Sequence, residues 1–484
     1  MPVENIQIII IFSFIVLIAL AGFLAKRFEA SKTDSLMEWS LAGKRFGAFI
    51  IWFLLGGDIY TAYTLLAVPG LAYNSGAFAF FAVSYCIIEY PLLFLTIPRL
   101  WNVSKKHNFI TVGDYSTKVF DSKFLGALVA GIGIFAELPY IGLQIFGMRY
   151  VLSICGLAPD IAIAVSLAAV IAFTVFSGIR AAAITSFFKD FFIWAMVITL
   201  VIFIPIHYFN GFGNMFEWLN KTYPAKSTVP SADFLSFATL ALGSAVALFL
   251  YPHAINGAYT SKNADSIRKN AIFMPLYNIM LIFVTLLGFA ALYIVPGLKN
   301  PNLAIPLMLY KTFGPYLSAL FGGIIILGSM VPASIMAIAS ANLFTKNIYQ
   351  NLIDPGISDK SQELMSKVSV AFIIALALLL SVIINPILII KLQLIGGIII
   401  LQLFPVVFMP LFTNRISKIP ASIALAGGLF TILYLLYVTH LNIIYDKIYI
   451  GLIGVAVEII LVFLTAFFFK PSNNISMDDY LDEF

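Results

Sequence analysis

Apolar residues occupy long, almost uninterrupted stretches of this chain, and polar residues gather in the short segments between them. A helix that crosses a bilayer needs about 20 predominantly apolar residues. Thirteen stretches approach or exceed that length: Ile6–Leu24, Phe46–Tyr73, Gly76–Ile97, Phe124–Ile154, Ile161–Phe176, Ala183–Ile206, Phe234–Ile255, Ala271–Ile294, Tyr316–Phe344, Val368–Ile384, Pro386–Phe412, Ala421–Tyr437 and Ile448–Phe469. The pattern predicts an all-α polytopic membrane protein with about 13 transmembrane helices.

Composition supports this expectation. Hydrophobic residues make up 61% of the 484 residues and charged residues only 11%, whereas soluble proteins carry about 25% charged residues. We therefore expect a single transmembrane domain over residues 1–484, embedded in the lipid of the cell membrane. The net charge of +5 does not indicate a nucleic-acid partner, because the basic residues lie in short loops. Cys86 and Cys155 suit neither a disulfide framework nor a zinc site, and we predict no cofactor beyond a coupling ion.

Lysine and arginine indicate how the chain threads the membrane. With the N-terminus outside, the inside segments hold twenty of the 28 basic residues and the outside segments hold five. Positive loops stay on the cytoplasmic side, so the sequence predicts an N-out, C-in topology. We expect an extra first helix over residues 1–27, a core over 46–412, two C-terminal helices over 419–470 and a solvated cytoplasmic tail over 471–484.

Three of the predicted spans carry features that interrupt a helix. The second contains Leu54–Thr61 with two glycines and an aspartate, the seventh contains Pro252, and the ninth contains Gly328–Pro332. Proline removes a helix hydrogen bond, and transporters with inverted repeats place their binding sites at such breaks. The second and seventh spans lie five apart, which predicts two five-helix repeats and a ten-helix inverted-repeat core with broken helices.

Ionisable residues within spans are costly and therefore point to function. Asp58 lies at the first break, and Lys189 and Asp190 open the sixth span. Glu89 and Glu137 lie near the middle of the third and fourth spans, as proton-relay groups or as halves of structural pairs. For four other ionisable residues a structural role is favoured over a functional one, namely Arg149, Lys391, Glu458 and His253.

These residues resemble the sodium:solute symporter family, which has the leucine-transporter-like five-plus-five fold. The resemblance runs from about Ser40 to Phe412, and its most characteristic pieces are Gly57–Tyr63, Pro98–Trp101, Gly178–Ala181, Tyr251–His253 and Asn342–Tyr349. Within the family, the chain is most similar to the monocarboxylate permease branch. The resemblance implies a secondary active transporter that imports a small monocarboxylate or an amino acid by alternating access.

The family's main cation site is the part of the resemblance from which this chain departs. In the family, broken-helix backbone around Gly56 and Ile59 would help to bind Na⁺. Two hydroxyl residues of the ninth span fall here on Val331 and Pro332, and a family aspartate falls on Ser186.

Lys189, one turn along from Ser186, offers a substitute for the missing ligands. Its ammonium group would take the vacated positive position, and a lysine that loses and regains a proton would couple transport to H⁺. Ser329 and Ser334 could instead supply hydroxyls to a Na⁺ site, so H⁺ and Na⁺ both remain open as the coupling ion.

The resemblance also implies a substrate pocket between the second, fourth, seventh and eleventh spans. Matching positions there are Tyr60, Thr61, Tyr63, Gln144, His253 and Asn256. N–H groups at the start of a half-helix can hold a carboxylate without an arginine. Glu89 and Glu137 depart from the branch, and an added acid would suit a substrate that carries an amine.

Other functional classes fit the sequence less well. A non-transporting membrane sensor that keeps the fold is the alternative, although the chain ends 14 residues after Lys470 without an output domain. A passive channel would line its pore with repeated segments, usually from several subunits. A membrane enzyme would need a catalytic constellation, and the acids within the spans are scattered. The identity of the solute, the stoichiometry and the oligomeric state are not encoded in any motif.

Overall fold

Long apolar stretches satisfy their backbone hydrogen bonds within one segment, and they do so here as helices. The computed structural model describes residues 3–25, 36–57, 59–383, 386–469 and 474–481. Asp58, predicted at the first break, lies outside the described residues. The α-helices of the first half are α1 Val3–Ala25, α2 Leu36–Leu41, α3 Ala48–Gly57, α4 Val68–Ser75, α5 Phe81–Lys106, α6 Val112–Phe120, α7 Lys123–Ile154, α8 Pro159–Phe209, α9 Phe212–Thr222 and α10 Pro224–Ser227.

The second half continues the same pattern of helices. Its α-helices are α11 Phe234–Leu248, α12 Pro252–Tyr259, α13 Ala264–Phe273, α14 Ile279–Ile294, α15 Ala304–Leu343, α16 Asp359–Ile383, α17 Pro386–Leu401, α18 Phe404–Val407, α19 Lys418–Val438 and α20 Ile450–Ala466. Short 3-10 or π-helical turns cover Ala42–Lys44, Tyr63–Ala67, Gly76–Phe80, Ser231–Asp233, Met274–Leu276, Pro301–Leu303, Phe344–Ile353, Met409–Leu411 and Met477–Tyr480. A small antiparallel hairpin of β1 Ile444–Tyr445 and β2 Ile448–Tyr449 links α19 to α20.

Each of the thirteen predicted spans overlaps helix in the described part of the chain. Nine described helical stretches are long and apolar enough to cross a membrane, or ten if the bent pair Lys391–Leu401 and Phe404–Leu411 forms one span. The protein is therefore a mostly helical, multi-pass membrane protein, while the count of thirteen and the orientation stay predictions. The predicted fifth and sixth spans join in α8, where Gly178 turns the chain at φ 60°.

The core of the helical bundle forms around α15. From Phe321 to Leu343 every residue of this helix is buried, and α15 packs against α7, α8 and α1. The outer faces carry large exposed apolar side chains, including Phe176, Phe191 and Ile206. Large apolar side chains on an outer face suit contact with lipid tails rather than water.

Two of the three predicted helix breaks occur in the structure, and the third does not. The second span divides between α3 and the π-helical turn Tyr63–Ala67, and the seventh divides between α11 and α12. By contrast, α15 continues through Gly328–Pro332, and its kink lies at Gly314. The predicted break in the ninth span is therefore wrong. Proline is tolerated within this membrane helix because the buried neighbours of α15 supply the packing that a free helix lacks.

The described part of the C-terminal tail is docked rather than fully solvated, contrary to the sequence-based expectation. Tyr480 is 1% exposed, and its hydroxyl lies 3.3 Å from that of Tyr115 on α6. Asp479 pairs with Lys106 at 2.5 Å and with His107 at 3.3 Å, at the end of α5. A cavity of about 650 Å³ opens between the tail, the end of α5 and the start of α13.

Candidate ion and substrate sites at two broken helices

Two glycines at the end of α3 allow the first broken helix to lie close to its neighbours. A Cβ on Gly56 would lie 2.8 Å from the ring of Tyr277. A Cβ on Gly57 would lie 2.9 Å from the hydroxyl oxygen of Ser186 on α8 and 3.3 Å from a carboxylate oxygen of Asp190. The 2.8 Å and 2.9 Å distances are shorter than real Cβ contacts, so glycine lets α3 lie against Tyr277 at position 56 and against α8 at position 57.

Lys189 reaches from α8 into this break. Its side chain is 0% exposed, and Nζ donates hydrogen bonds to the carbonyl oxygens of Gly57 at 2.6 Å and Tyr60 at 3.1 Å. The same nitrogen lies 2.8 Å from Oδ1 of Asp190. Gly57 ends the half-helix α3, where carbonyls carry partial negative charge, and Tyr60 lies in the unwound segment after it. An ammonium group satisfies both carbonyls and the neighbouring carboxylate.

Two tyrosines complete the surroundings of Asp190. The Tyr277 hydroxyl donates to Oδ2 of Asp190, and the Tyr60 hydroxyl donates to the backbone carbonyl of Tyr277 at 2.5 Å. The two rings stack with their centroids 4.3 Å apart. Tyr60 therefore points towards α8 and the segment before α14, on the same side of the break as Lys189.

Other residues predicted for a cation site have different partners in this structure. The carbonyl of Gly56 accepts from the Ile59 amide at 2.9 Å, and the carbonyl of Ile59 accepts from the Thr64 hydroxyl. Ser329 donates to Ile325 one turn back at 2.9 Å. The hydroxyls of Ser186 and Ser334 are buried without a hydrogen-bond partner among the described residues. The roles predicted for these residues in ion binding stay predictions.

Side chains of the protein itself cap the second half of this broken helix. Oε1 of Gln144 on α7 accepts from the Ala62 amide at 2.8 Å, and the Thr61 hydroxyl accepts from the Tyr63 amide at 2.9 Å. These contacts satisfy amides that a helix start leaves without partners. The Tyr63 hydroxyl is buried and has no hydrogen-bond partner in the described part of the chain.

A carboxylate from α7 caps the other broken helix. Pro252 is the first residue of α12, and the N-cap residue of this helix, Tyr251, makes no side-chain capping hydrogen bond. Oε1 of Glu137 accepts instead from the His253 amide at 3.0 Å and lies 2.6 Å from Nδ1 of the same histidine. Because Glu137 precedes Gln144 by two helical turns, one face of α7 caps both broken helices. That spacing was visible in the sequence, but the partner of Glu137 was not.

Asn256 lies one turn further along α12 and joins structural hydrogen bonds. Its side chain donates to the Ser40 carbonyl at 3.2 Å and accepts from Asn342 at 3.3 Å, and Asn342 accepts from Ser366 at 3.0 Å. Of the six residues predicted to bind substrate, five lie at the level of the breaks, namely Tyr60, Thr61, Tyr63, Gln144 and His253. Their role in binding stays a prediction.

The acids within the spans have separate surroundings. Glu137 pairs with His253 and Lys189 pairs with Asp190. Glu89 on α5 is fully buried, and neither of its carboxylate oxygens has a hydrogen-bond partner in the described part of the chain. Among the residues that the structure describes, no group of three His, Cys, Asp or Glu side chains is arranged to hold a metal ion.

Comparison with known proteins identifies the family. The model of the sodium:solute symporter family matches residues 39–430. The chain belongs to the sodium:solute symporter family. This symporter is 37% identical over 478 residues to the protein named "Uncharacterized symporter YodF" of Bacillus subtilis (strain 168), covering 97% of this chain and 95% of that protein. It is also 37% identical over 406 residues to a monocarboxylate transport permease protein of Rhizobium johnstonii, covering 83% of this chain and 82% of that protein.

Solved structures show the fold of the symporter. A Na⁺-coupled sialic acid symporter in a substrate-bound, outward-open state superimposes with a TM-score of 0.83 at 15% identity, covering 97% of this chain and 99% of that one. A nucleobase-cation-symport-1 family transporter in a closed conformation matches with a TM-score of 0.58 at 14% identity. These structures show the fold alone, and it is the family match together with the relatives named above that makes the symporter a secondary transporter rather than an enzyme.

Proposed function

We propose that this symporter imports a small monocarboxylate across the cell membrane by alternating access, with the ammonium group of Lys189 in the place of a coupling cation. The observation that carries the proposal is the position of Nζ, 2.6 Å and 3.1 Å from two carbonyls of the broken helix and 2.8 Å from Asp190. Freed carbonyls and half-helix C-termini coordinate Na⁺ or H⁺ in transporters built of inverted repeats.

Charge and burial support proton coupling over sodium coupling. A Na⁺ ion beside the buried Lys189 would bring two positive charges to the carbonyls of Gly57 and Tyr60, and like charges in a buried site repel strongly. A lysine is also a proton carrier, because burial disfavours its charged form whenever its partners move away. Separation of α8 from the break during transport would release the proton, and return of α8 would take one up.

The monocarboxylate substrate is inferred from the permease of Rhizobium johnstonii, at 37% identity. A small amino acid is the second candidate, because Oε2 of Glu137 is buried without a hydrogen-bond partner among the described residues and would suit an ammonium group. Both candidates are compatible with the predicted N-out, C-in orientation.

Uptake of labelled lactate, pyruvate and alanine into proteoliposomes tests the proposal. We expect accumulation of pyruvate or lactate under an imposed proton gradient without Na⁺. Lys189→Met should abolish the accumulation driven by the gradient, while the exposed residue Lys269 provides a matched control, with Lys269→Met retaining it. Accumulation that requires Na⁺, or a Lys189→Met variant with unchanged proton-driven uptake, would overturn the role of Lys189. Accumulation of alanine alone would favour the second candidate.

A further inference from the structure

A carboxylate of the protein itself caps the start of α12. The partial positive charge of a helix N-terminus and its free amides favour an anion. Here Oε1 of Glu137 takes that place, 3.0 Å from the His253 amide and 2.6 Å from the His253 ring. Glu137 and His253 are 0% and 1% exposed, so the pair is shielded from water.

Two polar atoms at this helix start have no hydrogen-bond partner among the described residues. They are Oε2 of Glu137 and the hydroxyl of Tyr251, the N-cap residue of α12. Tyr251 is 3% exposed, its ring lies 5.3 Å from that of His253, and it lies within electrostatic range of Glu137 and Tyr63. A buried donor without an acceptor is destabilising. A buried phenol donor beside a helix start that already holds a carboxylate points to a ligand with carboxylate oxygens.

We propose that the substrate carboxylate takes the place of Glu137 at the start of α12 and that Glu137 takes up one proton as it does so. The inference rests on the proposed transport of a monocarboxylate and names where its charge is bound. The His253 amide and the Tyr251 hydroxyl donate to the substrate, and the displaced Glu137 becomes a neutral acid. On release of the substrate, Glu137 returns to His253 and gives its proton back to water.

The reason for the proton is the low dielectric of the site. Two carboxylates that share one buried position cannot both be ionised, and one of them binds a proton. Before binding, the site holds the negative charge of Glu137, and after binding it holds that of the substrate beside a neutral Glu137. The net charge of the site is therefore unchanged, whichever charge His253 carries. The titratable groups shown to face Glu137 are His253 and Tyr251, while Tyr140 packs against His253 and Tyr63 and Tyr449 face Tyr251. These neighbours supply no lysine or arginine to neutralise a second carboxylate.

This proton site is distinct from the proposed site at Lys189. Lys189 lies at the other broken helix and has its own acid, Asp190, at 2.8 Å. Proton uptake with substrate binding belongs to Glu137 in this proposal, and replacement of the coupling cation at the first break belongs to Lys189 in the proposed function.

Proton counting on the purified protein tests the inference. Pyruvate is added to the detergent-solubilised protein by titration calorimetry in buffers of different ionisation enthalpy, which reports protons taken up per bound pyruvate. We expect about one proton per pyruvate, with an apparent Kd that rises about tenfold per pH unit over the range in which that proton is taken up. Glu137→Gln should still bind pyruvate but without proton uptake and without pH dependence. Glu458→Gln, a change to a buried acid on α20, is the matched control and should keep the proton uptake.

Each outcome separates this inference from the proposed function. Pyruvate binding to the wild type without proton uptake overturns the inference alone, and that measurement decides even if Glu137→Gln does not fold. If alanine bound without proton uptake and Glu137→Gln abolished that binding, Glu137 would be the partner of the substrate's ammonium group. That outcome would also overturn the inference. A wild type that binds neither pyruvate nor lactate overturns the proposed function together with the inference.

Discussion

Substitution of Gly57 by alanine probes how closely α3 approaches α8 at the first break. The added Cβ would lie 2.9 Å from Oγ of Ser186, 3.1 Å from its Cβ and 3.3 Å from Oδ2 of Asp190. Ordinary contacts of a Cβ begin near 3.4 Å, so α3 and α8 must separate by about half an ångström. That shift lengthens the 2.6 Å hydrogen bond from Lys189 to the Gly57 carbonyl.

Overpacking of this size costs about 1–3 kcal/mol of folding free energy. We therefore expect Gly57→Ala to lower the apparent Tm of the detergent-solubilised protein by several degrees and to reduce pyruvate uptake strongly. The additional change Ser186→Ala removes the nearest oxygen and should restore part of the Tm and part of the uptake. The restoration should be incomplete because the contacts at 3.1 Å and 3.3 Å remain.

Gly131 in α7 offers a matched control for the glycine-to-alanine change. An added Cβ at this position meets nothing within 4 Å, and alanine in a helix interior is favoured over glycine by about 0.5–1 kcal/mol. Gly131→Ala should therefore be neutral or slightly stabilising, with full uptake. If Gly57→Ala matched Gly131→Ala in both assays, the proposed tight contact between α3 and α8 would be refuted.

Three further predictions concern groups away from the breaks. Burial lowers the pKa of Lys44 to about 7. Between about pH 7 and the ordinary pKa of a lysine, the unfolded chain therefore holds a proton that the folded protein lacks, and the free energy of unfolding rises with pH. Lys44→Met should flatten that rise in a Tm series from pH 6.5 to 9.5. Asp479→Asn removes the pairing with Lys106 and should speed hydrogen–deuterium exchange of the tail several-fold. Glu458→Gln should leave the Tm unchanged or raise it, since the buried carboxylate has no hydrogen-bond partner in the described chain and ionisation there is costly.

Matched variants show what would contradict these predictions. Lys269 and Asp478 are exposed, so Lys269→Met should keep the pH slope and Asp478→Asn should leave the tail protected. An unchanged slope in Lys44→Met, or equal exchange in the two aspartate variants, would contradict the respective prediction. A fall of several degrees in Glu458→Gln would mean that the carboxylate has a stabilising partner.

The sequence predicts the membrane-spanning helices and two of their interruptions because these features depend on local properties. Apolar runs of sufficient length leave few alternatives to helix in a membrane, and the glycine pair of α3 and Pro252 interrupt a helix by themselves. The same reasoning failed at Pro332, since tolerance of proline depends on the helices that surround α15. Local sequence does not contain that information.

Contacts between distant segments explain what the sequence did not reveal at the sites. Glu137 and His253 are 116 residues apart, and Asp190 and Tyr277 are 87 apart, so neither pair follows from spacing along one helix. The position of Lys189 near the break could be predicted from the family resemblance, because Lys189 lies one helical turn from Ser186, which matches a family aspartate. The sequence did not predict docking of the tail, because its acidic composition indicated a solvated segment and the single residue Tyr480 was not enough to indicate burial.

The docked tail provides an attachment point for a spectroscopic label. Leu481 is 52% exposed and lies at the rim of the cavity between the tail, α5 and α13, one residue from the buried Tyr480. Both native cysteines, Cys86 and Cys155, are buried. A single cysteine introduced at Leu481 would therefore take a dye selectively, and the emission of that dye would follow movements of α5 and α13 during turnover without any alteration of the broken helices.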